Sequence, residues 1–325
     1  MKRRNALGLL GSATLLHRTA RAQETWPTKP VKIVVPFGPG GSGDIVSRIV
    51  GHELEALAGQ PFVIENKPGA TAMIGTAIVK NAPTDGYTIL HGSTSSLAAN
   101  PSLYKQITYD PDEFTTVAVD GTIPGFVLVA KDAPYRTVKE FVSWAQERNR
   151  ARKEPIFSGY GNTSSRVPSA LFAEQSGVAL EEVAYKDAVP AIQDLIGGRI
   201  QVTFPDVVIG ESYVRSGQVR ALAVTSAQRT PQFPDLEAVA ETYPGFEAIS
   251  FLSFSVRKEV PVEIQRKLNG WVMEILHRPA VNKRLLEIGI TPPPHDWGIA
   301  KSDAFVKRER VLWTRYIKLA KIDPQ

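Results

Sequence analysis

Short apolar runs alternate with amphipathic segments along most of the chain, which is the pattern of an α/β protein. Val31–Val35 predicts a buried strand, and apolar residues then recur at helical spacing from Ile45 to about Gly59. The turn between them, residues 37–43, holds four glycines, which leave the backbone N–H groups accessible. Residues 62–64 predict the next strand. A glycine turn that leads into a helix N terminus is a common anion site.

A second α/β unit follows the first. Its glycine and polar turn is SGYGNTSS, residues 158–165, and the spacing predicts a helix over 167–175 with Pro168 in its first turn. The later apolar run 248–254 is predicted to return to the first unit. We therefore predict an α/β fold with two lobes joined by two strands, each lobe a sheet flanked by helices. Lobe one comprises residues 25–121 and 252–325, and lobe two comprises residues 122–251. Three closing helices are predicted, at residues 262–277, 280–288 and 303–322.

The first 22 residues have the pattern of a secretory signal peptide. Lys2, Arg3 and Arg4 precede an apolar core at residues 6–16, and Ala22 ends a small-x-small cleavage site. We expect export to the periplasm with cleavage near Ala22. The Arg3-Arg4 pair leaves twin-arginine export open beside the general secretory route.

The export signal also accounts for the chain's positive charge. It holds five of the 38 Lys and Arg residues and no acid, so the remainder balances 33 basic against 33 acidic residues. A neutral chain gives no reason to expect nucleic-acid binding. There is no cysteine, which excludes disulfides, thiol catalysis and thiolate metal sites.

An enzyme is one alternative function. Gly38, Gly40 and Gly43 fit the GxGxxG pattern, and Glu65 stands where a dinucleotide-binding fold places its ribose-binding acid. Against this, Pro39 removes an N–H from the turn. His91 is the one histidine expected at a cleft-side strand end, and no catalytic motif accompanies it.

A set of motifs in fixed order resembles the periplasmic receptors of tripartite tricarboxylate transporters, known as the Bug family. The motifs are WPTKPVKIVVPFGPGGSGD, GQPFVIENKPGA, PTDGYTIL, NPSLY with TYDP, YKDAVPAIQDLIGGRI, QVRALAVTSAQR and PGFE. The resemblance implies a two-lobed periplasmic-binding-protein clamshell, type II-like, and no enzyme activity, cofactor or metal. It implies a monomer that carries a small carboxylate-class anion to membrane permease subunits. The ligand would be held by loop backbone groups, hydroxyls and bridging waters.

The resemblance places the ligand-binding residues in loops of both lobes. Asp44 has an alternative role as a helix cap, the glycines as plain turns, and Ser93 to Ser96 as a strand end. The implied set is Phe37, Gly40, Gly41, Ser42, Asp44, Ser93, Ser95, Ser158, Gly161, Thr163, Ser164, Arg166, Asp187, Ala188 and Asp206.

The chain departs from the family pattern near the implied cleft. Arg166 stands where a histidine is usual, and Asp187 where a glycine is usual. Gly69-Ala70-Thr71-Ala72 replaces a GAGG-type turn, and Phe251-Leu252-Ser253 replaces Trp-x-Gly. Our hypothesis is that Arg166 and Asp187 together favour a ligand with an amine or other donor besides its carboxylate. The alternatives are that Arg166 faces solvent and that Asp187 caps the following helix.

Two functions are compatible with this resemblance. The first is a solute-binding protein for a transporter, and the second is a sensor module that presents its ligand to a membrane kinase. The sequence alone does not separate them, but neighbouring genes for membrane subunits or for a histidine kinase would.

Overall fold

The computed structural model describes residues 26–325, which form two mixed sheets flanked by helices. The predicted α/β fold with two lobes is confirmed. The predicted export signal at residues 1–22 lies outside the described residues. The strands are β1 Val31–Val35, β2 Phe62–Asn66, β3 Thr88–Ser93, β4 Phe114–Pro124, β5 Phe126–Ala130, β6 Ile156–Tyr160, β7 Leu180–Ala184, β8 Val202–Thr203, β9 Val219–Val224, β10 Glu237–Ala238 and β11 Ile249–Arg257.

The first sheet has the strand order β2-β1-β3-β11-β4. β1 pairs in parallel with β2 and β3, while β11 pairs antiparallel with β3 and β4. β4 and β11 are thus the two long strands whose far ends lead to the second sheet. The predicted lobe boundaries, after residues 121 and 251, fall within these two strands.

The second sheet has the order β10-β9-β5-β8-β6-β7. Its strands β6 and β7 are parallel, as are β6 and β8, whereas β5 is antiparallel to β8 and β9. Loops that follow the carboxyl ends of β1 and β3 in the first sheet face loops that follow β6, β7 and β8 in the second. In open α/β sheets this edge is where ligands bind.

Helices cover both sheets and bury their apolar stripes against them, with Trp313, Phe141 and Phe172 among the fully buried side chains. None of the helices in residues 26–325 combines the length and apolar composition needed to cross a bilayer. The helices are α1 Ser42–Ala58, α2 Met73–Lys80, α3 Asn100–Leu103, α4 Val138–Glu147, α5 Thr163–Ser176, α6 Ala188–Ile196, α7 Val207–Arg215, α8 Val239–Thr242, α9 Val262–His277, α10 Pro279–Glu287 and α11 Ile299–Leu319.

Two predicted element boundaries are wrong in ways that affect the site. α5 begins at Thr163, because Asn162 caps it, so Pro168 lies inside the helix and not in its first turn. The polar stretch after β3, predicted as a loop, continues as a π-helical turn over Ser95–Ala99 and then as α3. Serines favour loops in general, but here the segment is completely buried and its backbone groups are paired within the helix.

Candidate functional site

A cleft between the two sheets brings together residues from both lobes. From the first sheet and its loops it is lined by Phe37, Gly41, Ser42, Gly43, Ser93, Ile123, Ser250, Phe251 and Leu252. From the second it is lined by Asn162, Ser164, Asp187, Asp206 and Ile209. Among these described lining residues, none has a basic side chain.

The first glycine loop leads directly into α1. Gly41 is the N-cap residue, and no side chain in the described chain caps this helix. Gly40 has a φ of 81°, a left-handed conformation that favours glycine. Because the first N–H groups of a helix have no intrahelical acceptor, the cleft-lining residues Ser42 and Gly43 offer unused N–H donors and the positive end of the helix dipole, while the N–H of Gly41 donates to the Gly38 carbonyl.

Asp44 supports this loop from behind and does not line the cleft. It is the third residue of α1, so its predicted role as N-cap is wrong. Its Oδ2 accepts a hydrogen bond of 2.9 Å from the N–H of Gly40, and Arg48 Nη2 lies 2.8 Å from its Oδ1. Burial raises the pKa of the Asp44 carboxyl, but the bonds from Arg48 and Gly40 outweigh this effect, and the pKa lies below its usual value. Asp44 is therefore ionised, and its carboxylate positions the N–H of Gly40.

The second glycine loop differs from the first because it is closed by its own side chains. Asn162 Oδ1 accepts a hydrogen bond of 2.9 Å from the N–H of Ser165 and thus caps α5. Ser158 is buried and its hydroxyl bonds to Ser169, 2.6 Å away. A Cβ on Gly161 would lie 2.1 Å from the carbonyl carbon of Asp187, so this glycine permits a close backbone approach. Of the predicted residues in this loop, only Ser164 lines the cleft.

Asp187 caps α6, as the capping alternative predicted, and it also lines the cleft. Its Oδ1 accepts a hydrogen bond of 2.8 Å from the N–H of Ala188, which is buried outside the lining. Its Oδ2 faces the first loop, where a Cβ on Gly38 would lie 3.0 Å from it. Burial raises the pKa of the Asp187 carboxyl above its usual value, and the Ala188 and Gly38 backbone groups oppose this only in part.

Asp206 has the same arrangement at the N terminus of α7. Its Oδ1 accepts a hydrogen bond of 3.1 Å from the N–H of Ile209, and its Oδ2 accepts one of 2.5 Å from the Ser42 hydroxyl across the cleft. Burial raises the pKa of the Asp206 carboxyl, and the nearby Asp187 raises it further. The two carboxylates therefore share one side of the cleft.

Arg166 lies away from Asp187, so the predicted pair does not form. Its guanidinium bonds to Glu182, with Nε and Nη2 each 2.9 Å from Oε2, and it lines a separate surface depression beside the C-terminal segment. Glu182 thus compensates a cation that opposes the dipole of α5. Because Arg166 lies outside the cleft, the hypothesis that it tunes the cleft is wrong.

The remaining predicted residues divide between lining and lobe contacts. Ser93 lines the cleft. Ser95 contacts Ser164 with 3.5 Å between their hydroxyl oxygens, and Thr163 Oγ1 donates to Asn100 Oδ1 over 3.0 Å. Gly40 lies just outside the lining. The Ser95–Ser164 and Thr163–Asn100 contacts hold the two lobes together at the edge of the cleft.

The residues behind the enzyme alternative have structural partners. His91 Nε2 lies 2.6 Å from Asp120 Oδ2, and both side chains are fully buried. Glu65 pairs with Lys32 and Lys67, at 3.0 and 3.5 Å. Neither His91 nor Glu65 lines the cleft, so neither can contact a ligand held there in this conformation.

Sequence reasoning missed several lining residues. Asn162 could have been found, because an Asn directly after a glycine and directly before a polar stretch that starts a helix is a strong N-cap candidate. Ile123, Ile209 and Ser250 carry no comparable signal, since an apolar or small residue in a strand or helix usually packs in the core.

Comparison with known proteins decides the family. Residues 46–315 match the sequence profile described as the tripartite tricarboxylate transporter family receptor. The chain belongs to this family. Its members are periplasmic solute-binding receptors, which are not a class of enzymes, and the resemblance found in the sequence is confirmed.

Individual relatives agree with this assignment. Protein BugT of Bordetella pertussis is 30% identical over 272 residues, which cover 83% of each chain. The structure of R. palustris Rpa4515 with adipate has a TM-score of 0.87 and 32% identity. The match covers 92% of the present chain and 100% of the Rpa4515 chain. MatC from Rhodopseudomonas palustris with bound malate has a TM-score of 0.82 and 27% identity, with 90% and 100% covered.

Proposed function

We propose that this receptor captures a small carboxylate-bearing solute in the cleft and delivers it to the membrane permease subunits of a tripartite tricarboxylate transporter. The observation that carries the proposal is the first wall of the cleft, where α1 has no side-chain cap and Gly41–Gly43 line the cavity. A carboxylate can accept hydrogen bonds from the free N–H groups of Ser42 and Gly43 and is stabilised by the helix dipole. The adipate and malate bound by the two structural relatives belong to the same chemical class.

The rest of the proposal concerns how the protein works in the cell. Export removes residues 1–22, and the receptor acts as a periplasmic monomer. Lobe one, residues 25–121 with 252–325, and lobe two, residues 122–251, close on the ligand. A ligand that touches both walls favours the closed state by its differential affinity for that state.

The test is to fill the free helix N terminus with a carboxylate of the protein's own. A Cβ on Gly41 would lie 3.4 Å from its nearest neighbour, the Gly38 carbonyl oxygen, so a side chain fits there. In Gly41→Asp, the new carboxylate caps α1 and repels a ligand carboxylate. We expect carboxylate affinity to fall about 100-fold or more, since like charges about 4 Å apart repel by ~4 kcal/mol at an effective dielectric of 20.

The matched control is Gly41→Ala, which adds the Cβ without the charge. Thermal-shift screening and calorimetry of the purified protein with malate, adipate, succinate and amino acids would measure the effect. The control should retain most of the affinity. If Gly41→Asp binds these carboxylates as tightly as the parent, or if no carboxylate binds the folded parent, the proposed function is wrong.

A further inference from the structure

The two walls of the cleft have opposite polarity. On the wall of lobe one, α1 is 17 residues long and its N terminus is without a side-chain cap in the described chain. On the wall of lobe two, three helices point their N termini toward the cleft, and each is capped by its own side chain: Asn162 for α5, Asp187 for α6 and Asp206 for α7. All three capping residues line the cleft.

Capping reverses what a helix N terminus offers to a ligand. Asp187 and Asp206 each use Oδ1 to accept an N–H of their own helix, at 2.8 and 3.1 Å, and this leaves Oδ2 directed elsewhere. In both residues Oδ2 faces the first loop: Asp206 accepts the Ser42 hydroxyl, and Asp187 lies against Gly38. Lobe one therefore presents donors to the cleft, and lobe two presents two carboxylate acceptors.

No described residue in the lining supplies a cation to balance these carboxylates. Burial raises the pKa of both carboxyls and Asp187 adds to the shift of Asp206, while the charge of Lys186, which lies outside this lining, opposes the shift of Asp187 only in part. A plain dicarboxylate would bring further negative charge to the same wall. A ligand ammonium would place a positive charge within the lining itself and replace the Ser42 hydroxyl as a donor to Asp206.

We propose that the solute is an amino acid-type zwitterion, with its carboxylate on the uncapped N terminus of α1 and its ammonium between Asp187 and Asp206. This inference rests on the proposed function, because it places the ligand carboxylate on the same loop. Asp187 and Asp206 then determine specificity. Arg166 takes no part, since Glu182 holds it outside the cleft.

The experiment compares ligands of equal carbon skeleton with and without an amine: aspartate with succinate, glutamate with glutarate, and β-alanine with propionate. Calorimetry with the purified full protein at pH 7 measures each dissociation constant. We expect the amino-bearing member of at least one pair to bind about tenfold tighter or more, since each added bond joins charged groups.

Asp187→Asn keeps the cap and removes the charge, because asparagine caps helices about as well as aspartate. It should reduce that preference about tenfold, while the unfolding temperature without ligand does not fall below that of the parent. The matched control is Asp235→Asn on an exposed position of lobe two, which should leave the preference unchanged.

The outcomes separate this inference from the proposed function. If succinate or glutarate binds at least as tightly as its amino counterpart, and Asp187→Asn leaves the ranking unchanged, the zwitterion inference is overturned and the proposed function stands. If a diamine without a carboxylate binds as tightly as the amino acids, the ammonium site is supported but the carboxylate site, and with it the zwitterion, is overturned. If none of the six acids binds, the zwitterion inference is overturned, and the proposed function fails with it only if malate and adipate do not bind either.

Discussion

The two glycine loops look alike in sequence, but in the structure they do opposite work. Both follow a strand and lead into a helix, yet the N-cap residue of α1 is Gly41, which has no side chain to cap it, whereas the N-cap residue of α5 is Asn162, whose side chain caps it. Gly40 and Gly41 have room around them for a Cβ, while Gly161 has none. A glycine in such a loop can therefore leave backbone N–H groups open to a ligand, or it can permit close packing of the loop itself. The identity of the residue just before the helix decides which.

The largest expected effect tests the packing role of the second loop. Gly161→Ala would place a Cβ 2.1 Å from the Asp187 carbonyl carbon and 2.3 Å from the Ala188 nitrogen. Because both are backbone atoms that cannot move aside cheaply, we expect the free energy of unfolding to fall by ~3 kcal/mol or more in chemical denaturation.

Gly41→Ala in the first loop is the matched comparison. Its Cβ has ordinary contacts, so the loss should stay below about 1 kcal/mol. If alanine changed the free energy of unfolding equally in both loops, the two loops would be equivalent.

The second effect concerns Asp44, behind the first loop, and Asp187, on the wall of lobe two, whose carboxyl pKa values are shifted in opposite directions. The pKa of Asp44 lies below its usual value, so its carboxylate stabilises the fold above the unfolded-state pKa, and this is lost as pH falls through the folded value. Asp44→Asn should therefore destabilise the protein at pH 7, by ~1 kcal/mol from weakened bonds to Arg48 and Gly40.

Asp187→Asn should have the opposite sign. Because burial raises the pKa of Asp187, its ionised form is destabilising above the folded pKa, and the penalty disappears as pH falls toward the unfolded value of 3.8. The variant should be more stable than the parent at pH 7 without ligand, and this advantage should shrink on acidification. Thermal melts of both variants from pH 7 to pH 4 measure the sign of each change in stability. If both changes had the same sign, the two aspartates would not differ in the way proposed.

The smallest effect concerns strain beside the first loop. Ala70, Thr71 and Ala72 have φ values of 45°, 49° and 74°, a left-handed run of residues other than glycine. Ala70 is exposed, so Ala70→Gly removes strain and loses little packing. We expect a gain of about 0.5 to 1 kcal/mol in the free energy of unfolding.

Ala77→Gly, inside α2, is the control and should lose about 1 kcal/mol because glycine is a poor helix former. A loss in both variants would show that the turn over residues 69–72 is unstrained.

Architecture and family could be predicted from the amino-acid sequence alone. Apolar runs of strand length, helical spacing after Ile45 and the return of an apolar run at residues 248–254 were enough for two α/β units. The motif order was enough for the receptor family. These features are local or repeated, and for that reason they are visible without coordinates.

Which polar side chains meet in the cleft depends on how the chain folds in three dimensions. Ser42 and Asp206 are 164 residues apart, and no periodicity connects them. Arg166 and Ser164 are two residues apart on one helix, so they point in different directions, and Arg166 turns to Glu182 while Ser164 lines the cleft. The direction of a side chain depends on where its helix begins and on what packs beside it. Asn162 set that start for α5, and the approach of the two lobes set the partners.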